Sequence, residues 1–237
     1  MSTKTYSALG ERMETRTLDN GLRICYLPKE GFSKTFAILA TDFGSVDASF
    51  TFEGKRYDTP AGVAHFLEHK MFEDEDGNAL QKFARTGASP NAFTSHTMTA
   101  YHFSCTDRFE ENLEILLKFV FTPYFTEENV AKERGIIGQE IGMMDDTPGW
   151  QAMVGLYKGL YREHPVRVSI AGSAESIAEI TPKHCTPATA RFTARKTWRL
   201  SCAVRRISRK SAAWPRSSPR RTRPRSASGT TARAARR

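Results

Sequence analysis

Two histidines and a glutamate lie within five residues of one apolar segment, at His65, Glu68 and His69 in AHFLEHK. Residues four apart share one face of a helix, so both imidazoles can point at one metal ion, with Glu68 beside them. Zinc favours imidazole and carboxylate ligands, and a catalytic zinc keeps one position for water. A carboxylate that lies beside the metal without binding it can take the proton of that water.

The alternative is a helix whose histidines face solvent or are satisfied by local hydrogen bonds. The order His-x-x-Glu-His reverses the commoner His-Glu-x-x-His arrangement and is the inverzincin motif. This match favours a metal site over the alternative.

A later helix offers a third ligand. Glu133 and Glu140 in KERGIIGQEIGMMDD are seven residues apart and therefore share one helical face. One of them can bind the metal while the other orients a ligand or the water. Spacing alone does not choose between them.

Strand and helix signals alternate along the chain up to about residue 182. Extended runs flank the turn signal Asp19-Asn20-Gly21, and alternation predicts a β-hairpin in SPNAFTSHTMTAYHFSCT. Pro60 is expected to open the helix that carries AHFLEHK, and Thr126 to cap the helix that carries the two glutamates. The predicted fold class is α+β, an antiparallel sheet covered by helices.

The charge of the chain is divided by position. Residues 183–237 contain 17 Lys and Arg and no acidic residue, whereas residues 1–182 hold 18 basic and 26 acidic residues, a net charge of −8. The overall charge of +9 therefore describes neither part. No signal peptide or long apolar run is present, so a cytoplasmic protein without membrane contact is expected. Cys25 and Cys105 are interpreted as small apolar residues on strands.

Several segments together resemble the pitrilysin or insulinase-like zinc peptidases, the M16 family that includes the mitochondrial processing peptidase. The resemblance covers residues 17–182 and is closest to the bacterial cytosolic members. It rests on segments in family order, which are FGSVDA, GVAHFLEHKMF, GASPNAFTSHTMTAYHFS, ERGIIGQEIGMMDDTP and HPVRVSIAGSAESIAEIT.

The resemblance implies one Zn²⁺ per chain and a role for each matching residue. His65, His69 and Glu140 would bind the zinc, Glu68 would be the general base, and Glu133 would support the catalytic site. An edge strand would hold an extended peptide substrate by β-augmentation, through Asn91, Ala92 and Phe93. His96 and His102 flank this strand and are interpreted as surface or packing residues.

The chain departs from the family near residue 183. The family is built from two related halves, and this chain matches an incomplete first half, residues 1–182, followed by an Arg/Ser/Pro-rich tail, residues 183–237, predicted to be disordered. In a shifted reading frame, the last base of each codon is joined to the first two bases of the next codon. This frame permits Leu at His184-Cys185, Phe at Arg191-Phe192 and Glu-Asn-Met at Arg195–Trp198. These residues fit the helix expected of the family, so a frameshift is the preferred hypothesis.

A genuine basic tail that binds nucleic acid is the rival explanation of this composition. It requires interleaved aromatic residues or a basic helix face, and Trp198 and Trp214 stand in a run without such a pattern. No nucleic-acid partner is therefore expected.

The sequence therefore predicts the zinc-bearing half of a metalloendopeptidase, truncated or frameshifted, with poor activity alone. Its partners would be a peptide and the missing half or a second M16-type chain. The alternative is a non-catalytic remnant that serves as a binding or structural subunit of a two-chain peptidase.

Overall fold

A computed structural model of the chain describes residues 2–75, 77–192, 194 and 197–204. The strands in these residues are β1 (Ser2–Tyr6), β2 (Glu11–Thr17), β3 (Arg23–Pro28), β4 (Thr35–Thr41), β5 (Ser49–Phe52), β6 (Lys55–Asp58), β7 (Glu73–Asp74), β8 (Gly77–Asn78), β9 (Ser89–Thr94), β10 (Thr99–Cys105) and β11 (Trp198–Val204). The helices are α1 (Val63–Lys70), α2 (Ala79–Thr86), α3 (Phe109–Phe121), α4 (Glu127–Asp145), α5 (Pro148–Leu160), α6 (Ala174–Ala178) and α7 (Pro182–Phe192). Among the described helices, none has the length and apolar content that a membrane span requires.

The main sheet has seven strands in the order β1-β2-β3-β11-β4-β10-β9. Its neighbours are antiparallel, apart from β3 and β11, which run parallel. The predicted α+β class is confirmed, and the sheet differs from the prediction in this one parallel pair. Within the described residues β9 is an edge strand, because it pairs on one side only, with β10.

The predicted turn between β2 and β3 is present and has a clear physical cause. Gly21 has a φ of 88°, a left-handed conformation that glycine adopts without steric cost. The side chain of Asn20 accepts a hydrogen bond from the backbone N–H of Leu22 at 3.0 Å. These two residues fix the register of the hairpin.

The helices cover one face of the main sheet. Alternation along β10 puts Tyr101 and Phe103 on the covered face, where both are fully buried, and leaves His102 and Ser104 partly exposed on the other face. Helices α1 and α3 both pack on β10. The core of the domain therefore lies directly beneath the helix that carries the two histidines.

Helix α1 starts at Val63, three residues after the predicted start at Pro60, and its N-cap is Gly62 with a φ of 89°. A Cβ atom at Gly62 would lie 2.4 Å from the carbonyl oxygen of Ala171. A Cβ atom at Gly172, whose φ is 79°, would in turn lie 2.5 Å from the carbonyl oxygen of Ala61. Only glycine permits this close approach, which anchors the start of α1 on the segment before α6.

The structure corrects the predicted boundary at residue 182. Residues 183–192 belong to α7 and residues 198–204 form β11, in the middle of the main sheet. Cys185, Ala188 and Phe192 are buried at helical spacing, and Trp198 and Leu200 are buried in strand alternation. The Arg-rich composition concealed this pattern. The predicted disorder of the remaining tail, residues 205–237, lies outside the described residues, and the frameshift stays a hypothesis.

Trp198 provides a test of the corrected boundary. Its ring is fully buried against Phe192, Tyr101 and Phe121. We expect Trp198→Ala to lower the free energy of unfolding by about 3–5 kcal/mol, because it leaves a large cavity. Urea denaturation followed by circular dichroism measures the change. Arg199→Ala, on the exposed side of β11, is the matched control and should cost less than about 1 kcal/mol. Equal effects of the two substitutions on the free energy of unfolding would indicate that Trp198 is not part of the core and that the domain ends at residue 182.

Candidate metal centre

Three side chains from helices α1 and α4 converge on one point. Nε2 of His65 lies 3.6 Å from Oε1 of Glu140, and Nε2 of His69 lies 3.3 Å from Oε2 of the same carboxylate. One ligand atom from each of the three residues falls within 4.8 Å of the others. The one-turn spacing on α1 and the packing of α4 against it produce this cluster.

Each imidazole lies at the donor–donor distance of a tetrahedral metal ion from one Glu140 oxygen, His65 from Oε1 and His69 from Oε2. Ligand bonds of about 2.0–2.2 Å place two donors of a tetrahedral zinc about 3.3–3.6 Å apart. The separations of 3.3 and 3.6 Å agree with this and exceed the usual range of a hydrogen bond. The donor set, two imidazoles and one carboxylate, is also one that zinc favours. The residues present therefore fit zinc.

The two glutamates of α4 have different contacts. Oε1 of Glu133 lies 3.0 Å from Nδ1 of His69, on the opposite side of the ring from Nε2. Glu133 is 6% exposed, so this contact is made away from solvent. Glu133 is thus placed to orient the His69 ring, while Glu140 faces the point where the two Nε2 atoms meet.

Burial governs the protonation of His65. Its side chain is buried, and desolvation, together with the nearby charge of His69, lowers its pKa to about 4. Its Nδ1 atom is buried without a hydrogen-bond partner among the described residues. A neutral imidazole keeps a lone pair, which is the form that binds a metal.

The pKa of His69 is shifted in the opposite direction. Burial acts to lower its pKa, but the hydrogen bond and charge of Glu133, with the charges of Glu140 and Glu68, outweigh that effect and raise it. Three carboxylates therefore surround this imidazole and balance positive charge at the centre of the cluster.

Glu68 is buried beside the cluster and is held by the edge strand of the sheet. The hydroxyl of Thr94 donates to its Oε2 at 2.7 Å. Desolvation raises the pKa of Glu68, and the Thr94 hydrogen bond and the charge of His69 oppose that rise. A carboxyl with a raised pKa is better suited to accept a proton than a fully solvated one.

Thr94 and Tyr101 are not among the residues that the sequence predicts at the site. The Tyr101 hydroxyl lies 3.3 Å from the carbonyl oxygens of both Leu67 and Glu68, so it can donate to the last turn of α1. Burial, and then the charge of Glu68, raises the pKa of Tyr101 well above its usual value, which keeps this donor protonated. Alternation in the predicted hairpin places both residues on the covered face, and a buried hydroxyl requires a partner. The strand alternation that places these two hydroxyls on the covered face can be read from the sequence.

The three residues expected to bind substrate lie on β9, at the edge of the sheet. Asn91 and Phe93 are exposed, and Ala92 is partly buried against the core. The backbone N–H of Ala92 donates to Oδ1 of Asn91 at 2.8 Å. Thr94, on the same strand, connects this edge to Glu68.

The two remaining histidines near the strand make packing contacts. His96 lies between the Ser45 hydroxyl, 3.1 Å from its Nδ1, and the ring of Tyr157. His102 lies on the open face of the sheet between the rings of Phe36 and Phe93.

The sequence of the chain matches a known peptidase family. The family model for insulinase, peptidase family M16, matches residues 51–174. The zinc protease YmfH of Bacillus subtilis, described as uncharacterized, is 52% identical over 178 residues, which are 74% of this chain and 42% of YmfH. The chain therefore spans less than half the length of this relative.

Solved structures share the fold. An M16-like peptidase from Alicyclobacillus acidocaldarius has a TM-score of 0.83 and 39% identity, covering 87% of this chain and 49% of that protein. An inactive M16 peptidase domain from Pseudomonas fluorescens has a TM-score of 0.67 at 20% identity, covering 86% of this chain and 49% of that protein. The second likeness concerns the fold alone.

The different contacts of Glu133 and Glu140 lead to a testable difference in metal affinity. We expect Glu133→Gln to weaken Zn²⁺ binding by about 10- to 100-fold, as the loss of an outer hydrogen-bond partner does. Glu140→Gln should weaken it further, because a direct ligand is lost. Competition with a chromogenic chelator measures both affinities, and Glu128→Gln, on the exposed first turn of α4, is the control. A larger effect of Glu133→Gln would reverse the assignment.

Proposed function

Because the chain belongs to the M16 family of insulinase-like peptidases, we propose that it carries the zinc site of a metalloendopeptidase, with His65, His69 and Glu140 as ligands. The observation that supports this most directly is the convergence of these three side chains. Glu68, which is buried beside them on α1, would be the general base. The proposed reaction is hydrolysis of a peptide bond by water.

Zinc in such a site would polarise a peptide carbonyl and lower the pKa of water to about 7. The chain's own residues would supply the remaining steps. Thr94 holds Oε2 of Glu68, so Oε1 is the oxygen that we assign to take the proton from the attacking water. Glu68 would then pass this proton to the leaving amine.

Strand β9 would position the peptide. As an edge strand it offers backbone groups to which an extended substrate can add as a further strand. Asn91, Ala92 and Phe93 would line this contact. The Ala92 N–H, now bonded to the Asn91 side chain, would be released to the substrate when that side chain turns away.

Activity would depend on a second M16-type half. The chain matches 42% of YmfH and 49% of the Alicyclobacillus peptidase, so a large part of each of those proteins has no counterpart in the match. We propose that a second M16-type chain supplies substrate contacts and that the chain alone cleaves slowly. The cytoplasmic location expected from the sequence stays a prediction.

Replacement of Glu68 tests the peptidase proposal. We expect Glu68→Gln to lower the cleavage rate of a quenched fluorescent peptide by at least about 100-fold, because the general base is lost. Zinc content, measured by atomic absorption, should stay at one ion per chain. The assay is run with the chain alone and with a second M16-type chain, itself carrying an inactivated site.

Two outcomes would contradict the proposal. Cleavage that survives Glu68→Gln would come from another site or a contaminant. Bound zinc without cleavage, even with the second chain present, would favour the alternative of a non-catalytic subunit.

Thr94 is expected to position the general base. Removal of its hydroxyl in Thr94→Val should lower kcat by about tenfold or more while zinc affinity stays unchanged, since Glu68 loses its fixed orientation. Thr94→Ser keeps the hydroxyl and should restore most of the activity. Steady-state kinetics on the two variants measures the difference. Equal losses in both variants would indicate a packing role for Thr94 instead.

A further inference from the structure

Two large apolar side chains of α4 are exposed to solvent, one turn before and one turn after Glu140. Ile136 precedes Glu140 on the helix and is 44% exposed, and Met143 follows it and is 72% exposed. Along the helix axis they lie about 6 Å before and about 4.5 Å after Glu140. We call Ile136 and Met143 the apolar rim of the candidate metal centre.

The apolar rim lies on the solvent side of the Glu140 carboxylate. At about 100° of rotation per residue, Ile136 and Met143 lie about 40° and 60° from Glu140 in one direction around α4. The buried residues Ile137 and Ile141 lie in the other direction, about 60° and 100° from Glu140. The core is therefore on one side of the carboxylate, and the rim is on the side that is open to solvent.

A substrate would approach the candidate metal centre across the rim. The side chains of Glu140 and His69 are partly exposed, whereas that of His65 is buried. Residues one turn apart on a helix have Cβ atoms about 5–6 Å apart. A peptide whose carbonyl reaches the point where Glu140 and the imidazoles meet would therefore bring the neighbouring substrate side chains against Ile136 or Met143.

The rim differs from the rest of the exposed surface of α4. Every residue of this helix is described, and its other exposed positions are polar, charged or small: Glu127, Glu128, Ala131, Lys132, Gly135, Gln139, Gly142 and Asp145. Single apolar residues on a protein surface are ordinary. Ile136 and Met143, however, share one helical face with Glu140, at the i, i+4, i+7 spacing of an apolar stripe.

We propose that the apolar rim gives the peptidase a preference for substrates with apolar side chains next to the cleaved bond. The inference rests on the proposed function, which places a peptide carbonyl beside Glu140. Neither rim side chain can form a strong hydrogen bond. An apolar neighbour is therefore stabilised by leaving water, whereas a polar one would lose water without gaining a partner. Contact with a second M16-type chain is the competing use of this surface.

Equilibrium binding tests the proposal without relying on cleavage. Fluorescence anisotropy would compare two labelled peptides that differ only at two central positions, occupied by Leu or by Asn, which is similar in size. The zinc-loaded chain carries Glu68→Gln, so that the peptides stay intact, and is measured alone and with a second M16-type chain. We expect the Leu peptide to bind at least about tenfold more tightly, because two apolar side chains leave water.

Replacement of the rim should remove this preference. Ile136→Ser with Met143→Ser is expected to let the two peptides bind alike, and Ile136→Val with Met143→Leu, which stays apolar, should keep the preference. Leu9→Ser with Phe32→Ser is the matched control. These two side chains are 73% and 61% exposed, in the connections from β1 to β2 and from β3 to β4. Circular dichroism and atomic absorption establish that each variant keeps its fold and its zinc.

The outcomes separate this inference from the proposed function. Equal binding of the two peptides to the unsubstituted rim, binding of neither, or a preference that survives Ile136→Ser with Met143→Ser would overturn the rim as a substrate contact. A loss of association with the second chain, measured by sedimentation, with the peptide preference intact would assign the rim to that chain instead. A rim-dependent preference in a chain whose Glu68 form does not cleave would support the rim and sink the peptidase proposal.

Discussion

The arrangement of the domain depends on the burial of ionisable side chains on α1. His65 and Glu68 are 8% and 9% exposed and Lys70 is completely buried, so each charged form would be costly without a partner. The partners come from different parts of the chain. Thr94 of the edge strand bonds Glu68, the Glu140 carboxylate of α4 faces His65, and Glu73, just after α1, pairs with Lys70. A shift of α1 would break the contacts with Thr94 and Glu140 together, which fixes the helix between the sheet and α4.

The start of α1 is fixed by a different constraint, the contact between two backbone segments. Gly62 and Gly172 approach each other's neighbours so closely that a Cβ atom on either would clash with a carbonyl oxygen. The segment that precedes α6 therefore determines where α1 begins. The position of the histidines along α1 follows from this contact.

The sequence predicted what depends on local periodicity and missed what depends on packing between elements. His65 and His69 could be paired because one helical turn separates them, and the Asn20-Gly21 turn follows from local conformation. Glu133 and Glu140 share a face but lie about 10 Å apart along the helix axis. Only the packing of α4 on α1 decides which carboxylate faces the Nε2 atoms of both histidines. Strand β11 alternates buried and more exposed residues from Trp198 onward, but the Arg-, Ser- and Pro-rich composition around it masked this pattern.

Thr94 connects the proposed substrate strand directly to Glu68, the proposed general base. It is on β9, two residues after Ala92, and its hydroxyl bonds Glu68 across the gap between sheet and helix. A peptide that pairs with β9 would order this strand, and with it the donor that orients the carboxylate. Helix α5 has no fully buried residue and packs on α4, on the segment that follows it and on His96. His96 lies two residues after the end of the same strand, so ordering of β9 by a peptide would also restrain α5.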